Sequence, residues 1–241
     1  MDKQKLVRFI NKYYLGGIGE SVLINSSASN QTLTTKFVSG DKNLLGTVEM
    51  SKWVFEDANL GVYNTEQLMK LLGVLENDIR VDVTKSETKA ISMKISDSMS
   101  SVNYMLSDPS IINEPPALKT IPDFELSINL TNSVINKFIS GKSALSETST
   151  FTVVSNGETT QLIIGYSSVN TNRVTIPVTT TQSSDIDNVS FSADYFSAIL
   201  TANKECESAL LQVSSAGLAK MTFKVDDYSS EYYLVATQDV D

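Results

Sequence analysis

Residues 107–123 read SDPSIINEPPALKTIPD, and this stretch decides how the chain is divided. It holds four of the five prolines in the sequence, namely Pro109, Pro115, Pro116 and Pro122. Proline cannot donate a hydrogen bond to a strand ladder, and it disfavours helix in the residue before it. The stretch is therefore predicted to be an extended connector that contains the domain boundary.

The connector separates two segments with the same predicted order of elements. We expect an N-terminal domain at 1–107, the connector at 108–123 and a C-terminal domain at 124–241. Each domain shows the periodicity of a helix, strands (among them Trp53–Leu60), a second helix and more strands. Equivalent positions lie about 130 residues apart. The predicted fold class is α+β, with two copies of one unit that packs two helices on an antiparallel sheet.

Four helices are predicted, each with an apolar stripe along one face. Their windows are 3–15, 65–75, 131–145 and 192–204. The first helix carries a second stripe, because Lys5, Arg8 and Lys12 fall at i, i+3 and i+7. That stripe has one charge sign only, which makes it a candidate surface for an anionic partner.

Charge is sorted between the helices and the rest of the chain. The whole sequence has 19 Lys and Arg against 28 Asp and Glu, a net charge of −9. The helix windows hold eight basic residues against Glu66 and Asp194, a surplus of six positive charges, so the remainder carries −15. The basic residues are Lys3, Lys5, Arg8, Lys12, Lys70, Lys137, Lys142 and Lys204. A positive channel with a negative exterior would produce this sorting and attract phosphates. The alternative is that each lysine stripe is only the solvated face of its helix.

The residue types that are missing exclude several kinds of chemistry. The sequence has no histidine and one cysteine, Cys206. Ser-His-Asp and Cys-His nucleophile systems, histidine-containing metal sites and multi-cysteine metal sites are therefore excluded. The acidic pairs Asp185/Asp187 and Asp226/Asp227 are more typical of exposed turns than of a cation site. We expect no enzyme activity, no cofactor and no metal.

Cysteine usage and hydropathy bear on the compartment. A single cysteine fits a reducing environment. The basic N-terminal segment is not followed by an apolar signal region, and no run of 18 apolar residues occurs. We therefore expect a cytoplasmic protein that does not associate with membranes.

The sequence resembles a DNA polymerase sliding clamp. It is most similar to the clamps of T-even-type tailed phages, which share the fold of proliferating cell nuclear antigen. The resemblance covers essentially the whole chain. It rests on the basic helix that opens the chain, on Ser107-Asp108-Pro109-Ser110 followed by the Pro-rich connector, on the strand-to-helix restart at Phe124–Phe138, and on the repeated order of elements.

What the resemblance implies is a processivity factor without enzymatic activity. Three copies would form a homotrimeric ring around double-stranded DNA, with helices lining the hole and sheets outside. The ring would bind DNA without sequence preference, tether a DNA polymerase and be opened by a clamp loader. If a phage encodes the protein, it would act in the host cytoplasm. The eight helix cations would face the DNA.

The resemblance also implies an apolar pocket beside the connector that takes short peptides from partner proteins. The residues expected there are Leu106, Ile111, Ile112, Pro115, Leu118 and Ile121, with Tyr232, Leu234 and Ala236 opposite. Alternatively, the connector isoleucines only pack the connector onto its own domains. The alternative function is a β-rich structural ring or adhesion protein of a virion, which predicts no charge asymmetry of the helices.

Overall fold

The structure is a computed structural model that describes residues 1–167, 169 and 171–237. The helices are α1 Lys3–Tyr14, α2 Thr65–Gly73, α3 Asn132–Ala144 and α4 Ala193–Ala202. The first eight strands are β1 Val22–Ser27, β2 Thr32–Val38, β3 Leu44–Met50, β4 Ala58–Val62, β5 Arg80–Ser86, β6 Lys89–Ser96, β7 Ser101–Met105 and β8 Leu126–Thr131. The others are β9 Thr150–Asn156, β10 Thr160–Ile164, β11 Val174–Val178, β12 Thr180–Gln182, β13 Asp185–Ser192, β14 Ser208–Ser214, β15 Leu218–Val225 and β16 Tyr228–Val235. Among these described residues, one 3₁₀ turn lies at Pro109–Ile111.

Each helix begins after a residue whose side chain can cap it. The N-caps of α1 to α4 are Asp2, Asn64, Thr131 and Ser192. Each side-chain oxygen accepts a hydrogen bond from a backbone N–H two or three residues further on, which satisfies a donor that the first helical turn leaves unpaired. Leu15 follows α1 as its C-cap and adopts a left-handed conformation with φ of 47°.

The chain folds as two compact units. Unit one comprises Met1–Gly40, Leu45–Pro116 and Asp226–Ser230. It contains two antiparallel sheets, ordered β4-β1-β2-β3 and β5-β6-β7. Helices α1 and α2 pack together, and Phe9 meets Tyr13 edge to face in the core. Because Asp226–Ser230 belongs to this unit, the turn after β15 lies in the same unit as α1.

Unit two comprises Asp41–Leu44, Ala117–Val225 and the chain from Glu231 on. Its sheets are ordered β12-β8-β14-β15-β16 and β11-β10-β9-β13. Helices α3 and α4 pack together over an aromatic cluster in which the Phe138 ring lies 5.1 Å from Phe151 and 4.6 Å from Phe196. The two units repeat one order of helices and antiparallel strands, which confirms the predicted α+β fold class.

Two parts of the strand prediction need correction. Residues 53–57 form no strand, and β4 begins only at Ala58. The buried Trp53 next to the exposed Val54 imitates the alternation of a strand. Strand β13 was not predicted, because Asp185 and Asp187 at its start have the composition of a turn.

Candidate nucleic-acid interface

The basic stripe of α1 lies against an acidic turn of its own unit. The turn joins β15 to β16 through Asp226 and Asp227. Lys5 Nζ donates to Asp227 Oδ2 at 2.8 Å, and Arg8 Nη2 donates to Asp226 Oδ2 at 3.2 Å. Two of the cations predicted to face DNA are therefore already paired with carboxylates.

An aromatic ring lies against the same stripe. Arg8 Cζ is 4.7 Å from the centroid of the Tyr228 ring, and Lys12 Nζ is 5.4 Å from it. Tyr228 Oη donates to the backbone carbonyl of Lys5 at 3.0 Å. Lys12 is only 1% exposed. The expectation that Lys12 lies on an exposed DNA-facing surface is thus corrected, because its ammonium group is buried near an aromatic face that attracts cations.

Lys52 belongs to the same group of charges and was missed by the sequence analysis. Its Nζ donates to Asp227 Oδ1 at 2.7 Å, while its side chain stays 77% exposed. Lys52 lies outside the helices in a left-handed conformation with φ of 55°, so a search of helix faces passes over it. Hydrogen bonds from Lys5 and then Lys52 lower the pKa of Asp227 to about 2, which keeps that carboxylate ionised at neutral pH.

The other two helix cations of unit one also have partners. Lys3 Nζ donates to the backbone carbonyl of Leu75. Lys70 Nζ lies 2.7 Å from Glu66 Oε1, one helical turn earlier, and this hydrogen bond raises the pKa of Lys70. The Lys70 side chain remains exposed, so its ion pair is weak and can be exchanged for a phosphate.

In unit two, Lys142 does not lie on an exposed face. The residue is 8% exposed, and its Nζ donates to the backbone carbonyl of Ser146 at 2.7 Å and to Asp194 Oδ1 at 2.9 Å. The expectation that Lys142 presents its charge to DNA is corrected, since this ammonium group joins α3 to α4. Its long side chain reaches from the last turn of α3 to the first turn of α4.

Two lysines of unit two match the expectation of exposure. Lys137 on α3 and Lys204 after α4 are exposed, and neither forms a salt bridge with any residue that the structure describes. The neighbouring surface of α3 is polar and small, consisting of Asn132, Ser133, Asn136 and Ser140. Amides and hydroxyls next to sparse lysines suit contacts with a phosphate backbone better than reading of base edges.

The residues expected to form the peptide pocket divide into exposed and buried groups. Ile111 in unit one and Leu118 and Ile121 in unit two are exposed. Leu106, Pro115 and Ala236 are half-buried, whereas Ile112 is buried. Tyr232 and Leu234 lie in the core of unit two, and Tyr232 Oη accepts a hydrogen bond from Asn203 Nδ2 at 3.1 Å. Tyr232 and Leu234 therefore offer no exposed surface to a peptide.

Acidic clusters and apolar helices are the other candidate features in the described part of the chain. No group of three acidic or cysteine side chains there is arranged to hold a metal ion. None of the described helices combines the length and apolarity needed to cross a membrane. The surface charges of α1, α3 and the residues beside them remain the strongest candidate for binding.

The chain matches known proteins in structure, whereas comparison of its sequence with family models and curated proteins finds no match. Proliferating cellular nuclear antigen from Entamoeba histolytica is 14% identical, with a TM-score of 0.75 over 98% of this chain and 96% of that one. The PCNA of A. fulgidus, in a structure with the C-terminal region of FEN-1 bound to it, is 13% identical, with a TM-score of 0.77 over 100% of this chain and 98% of that one.

These matches extend over both units and include their order along the chain. At such low identity they establish the fold, which is that of PCNA-type sliding clamps with two repeated domains.

Proposed function

We propose that the protein is a DNA sliding clamp, a processivity factor without enzymatic activity that encircles duplex DNA and tethers a DNA polymerase. The observation that carries the proposal is the two-domain clamp fold, matched over 98% or more of the chain. A clamp loader and a T-even-type phage system belong to the same proposal, and they rest on the sequence resemblance. The virion ring or adhesion protein is not favoured, because the structural matches are to clamps.

Ring closure requires two strand edges that can pair between copies. Unit one ends one of its sheets with β7, and unit two ends one with β11; both strands are five residues long and uncharged. Charged side chains on the edge strands β5 and β13 disfavour pairing with another chain. The edge strand β12 is only three residues long, and the edge at β4 is covered by Ser107, whose N–H donates to the carbonyl of Gly61 at 2.9 Å. We therefore propose that β7 of one copy pairs with β11 of the next.

The hydrogen-bond pattern of β7 leaves its outer edge able to pair. Asp97 N donates to the Ser100 carbonyl, and Leu106 N donates to the Ile91 carbonyl. Along an antiparallel ladder, hydrogen-bonded residue pairs alternate with pairs that are not hydrogen-bonded. The two bonds therefore show which residues of β7 direct their backbone groups toward β6 and which direct them away. The backbone groups that point away from β6 are those of Ser101, Asn103 and Met105.

The outward-facing backbone groups of β11 follow from the same alternation of hydrogen-bonded pairs. Asn156 N donates to the Thr159 carbonyl, which fixes the alternation across β9, β10 and β11. Thr175 and Pro177 then direct their backbone groups outward. Pro177 has no N–H and lies where the β10 ladder requires none, as expected of proline in an edge strand. Next to this edge, a groove of about 620 Å³ between α3 and β11 offers room for side chains of a neighbouring copy.

Contacts between β7 of one copy and β11 of another use different surfaces, so they run head to tail, and such contacts form a ring when the rotation between copies closes. We propose three copies per ring. The exposed lysines Lys137 and Lys204 would then contact DNA together with Lys70 and the cations near α1. The exposed connector residues Leu118 and Ile121 of unit two would contact partner peptides.

A covalently closed ring tests both the assembly and the encirclement of DNA. Asn103→Cys and Thr175→Cys place thiols on the two edges, while the native Cys206 is buried. Cross-linking with a bismaleimide during assembly around closed circular plasmid should yield a species of about three subunits. That species should stay on the plasmid in denaturant and leave when the plasmid is linearised.

The controls are the two variants that carry only one of the new cysteines, because neither can close a ring. Cross-linked species that form without plasmid retention would contradict the encirclement. A failure to cross-link beyond the monomer at any protein concentration would contradict the assembly.

A further inference from the structure

Among the described residues near the helices of the candidate interface, paired charges are most concentrated in unit one. They belong to Lys5, Arg8, Lys52, Asp226 and Asp227. We call these five residues the α1 cluster. Its three cations come from α1 and from the segment after β3, and both carboxylates come from the turn between β15 and β16. It holds one more cation than carboxylates.

The two carboxylates of the α1 cluster differ in how firmly they are held. The Asp227 side chain is 14% exposed and binds Lys5 and Lys52. Its backbone carbonyl also accepts hydrogen bonds from Ser51 N at 2.8 Å and Ser51 Oγ at 3.1 Å. The Asp226 side chain is 68% exposed and binds Arg8 at 3.2 Å. Asp227 therefore supports the structure of the turn, whereas Asp226 can be changed without disturbing buried groups.

We propose that the Asp226–Asp227 turn competes with DNA phosphates for Lys5, Arg8 and Lys52, and so limits how tightly this clamp holds DNA. The proposal rests on the proposed function, since it concerns the same DNA contact. The side chains of Lys52 and Asp226 are exposed, and exposed ion pairs are weak, so a phosphate can replace the carboxylate on Lys52 and on Arg8. Lys5, whose partner Asp227 is 14% exposed, exchanges less readily. Each contact between such a cation and a phosphate then replaces an existing ion pair, so the net gain in affinity for DNA is small.

Weak holding is what a topologically linked ring needs, because the ring cannot dissociate sideways and must move along the duplex. The inference also adds Lys52 to the residues that contact phosphate. Its exposed ammonium group binds Oδ1 of Asp227, whereas the helix residue Lys5 binds Oδ2 of the same carboxylate.

Asp226→Asn tests the proposal with the smallest change of shape. Binding to a fluorescently labelled linear duplex is measured by anisotropy over a series of salt concentrations. Loss of one weak exposed ion pair should strengthen binding about two- to fivefold at low salt. If Arg8 then gains a phosphate contact, the slope of log affinity against log salt becomes steeper by about 0.9. Asp226→Glu keeps the charge and should bind the duplex with the salt slope of the wild type, although the left-handed φ of 50° at this position suits Glu less well than Asp or Asn.

Glu158→Gln is the matched control, because it removes one exposed negative charge from the turn between β9 and β10 in unit two. Its affinity should change less than that of Asp226→Asn. For the cation side, Lys52→Gln should weaken binding more than Lys36→Gln, which removes an exposed lysine from β2. Thermal unfolding without DNA should be the same for Asp226→Asn and the wild type.

The outcomes separate the two proposals. Equal affinities and salt slopes for Asp226→Asn and Glu158→Gln, with the wild type binding duplex, overturn the competition and leave the clamp function standing. Wild-type protein that forms rings but binds no duplex even at low salt overturns both. A tighter Asp226→Asn together with a weaker Lys52→Gln supports the competition.

Discussion

Lys5 Nζ lies 2.8 Å from Asp227 Oδ2, although the two residues are 222 positions apart in the sequence. The contact pairs the first helix of the chain with a turn near its other end. Because Lys5 and Arg8 are already paired with carboxylates, the basic stripe of α1 attracts DNA phosphates less strongly than its sequence suggests. The lysines of unit two that remain exposed without a salt bridge among the described residues therefore become the main candidates for direct phosphate contact.

The first prediction concerns those exposed lysines. The double variant Lys137→Gln with Lys204→Gln should bind duplex DNA more weakly than the wild type, and its salt slope should be shallower by about 1.8, since each lost phosphate contact removes about 0.9. The measurement is anisotropy over a salt series. Lys36→Gln with Lys94→Gln, which removes two exposed lysines from strands, is the control. A control that weakens binding as much would contradict a specific role for Lys137 and Lys204.

The second prediction separates a structural lysine from a DNA-binding one on the same helix. Lys142→Met should lower the free energy of unfolding by about 1–3 kcal/mol, because the Ser146 carbonyl and the Asp194 carboxylate on α4 lose the buried ammonium group that donates to both. Lys137→Met, an exposed change on α3, should alter it by less than about 0.5 kcal/mol. Urea denaturation measures both. Equal stabilities of the two variants would show that Lys142 does not link α3 to α4 as described.

The third prediction concerns assembly. Asn103→Pro removes an outward N–H from β7 but no bond to β6, so unit one should stay folded while pairing with another copy is lost. Light scattering should show a smaller species than the wild type at the same concentration. Asn103→Ala keeps the N–H and should assemble normally. A proline variant with the wild-type mass would exclude pairing through this edge.

The fourth prediction concerns acid stability. Backbone hydrogen bonds from Glu76, then from Met99, lower the pKa of Asp97 from 3.8 to about 2. A carboxyl group with a lowered pKa stabilises the folded state above its unfolded pKa, and this contribution is lost as the pH falls through the folded pKa. Asp97→Asn should therefore be less stable than the wild type at neutral pH. The difference in unfolding free energy should shrink between pH 3.8 and about 2.

Urea denaturation at several pH values measures this difference. Glu114→Gln, which changes an exposed carboxylate of the connector, is the control and should match the wild type throughout. A difference between Asp97→Asn and the wild type that stays constant down to pH 2 would contradict a role for the Asp97 charge.

Local sequence predicted much of the secondary structure. Three of the predicted helix windows begin at residues 65, 131 and 192, and the helices begin within one residue of these positions, directly after the capping residues Asn64, Thr131 and Ser192. The sequence locates these starts because a capping side chain acts within three residues. The failures occur where burial depends on distant partners. Strand β13 begins with two aspartates that resemble a turn, and the segment at Trp53 alternates in burial without being a strand.

The candidate interface was less predictable than the fold. Helical spacing identified Lys5, Arg8 and Lys12 as one stripe, but spacing does not reveal what lies opposite. Lys12 is buried near Tyr228, and Lys52 lies outside every helix. A charge on an amphipathic face can be exposed, paired or buried, and those outcomes have the same local pattern.

The sequence by itself determined the two-unit α+β repeat, because hydrophobic periodicity, capping residues and the proline-rich connector act over short distances along the chain. It also excluded histidine chemistry outright. Tertiary structure decided which cations are exposed, since the Asp226–Asp227 turn reaches α1 only when β15 and β16 form their hairpin. The strand edges that can pair between copies were decided in the same way, because an edge is defined by which neighbours a strand lacks.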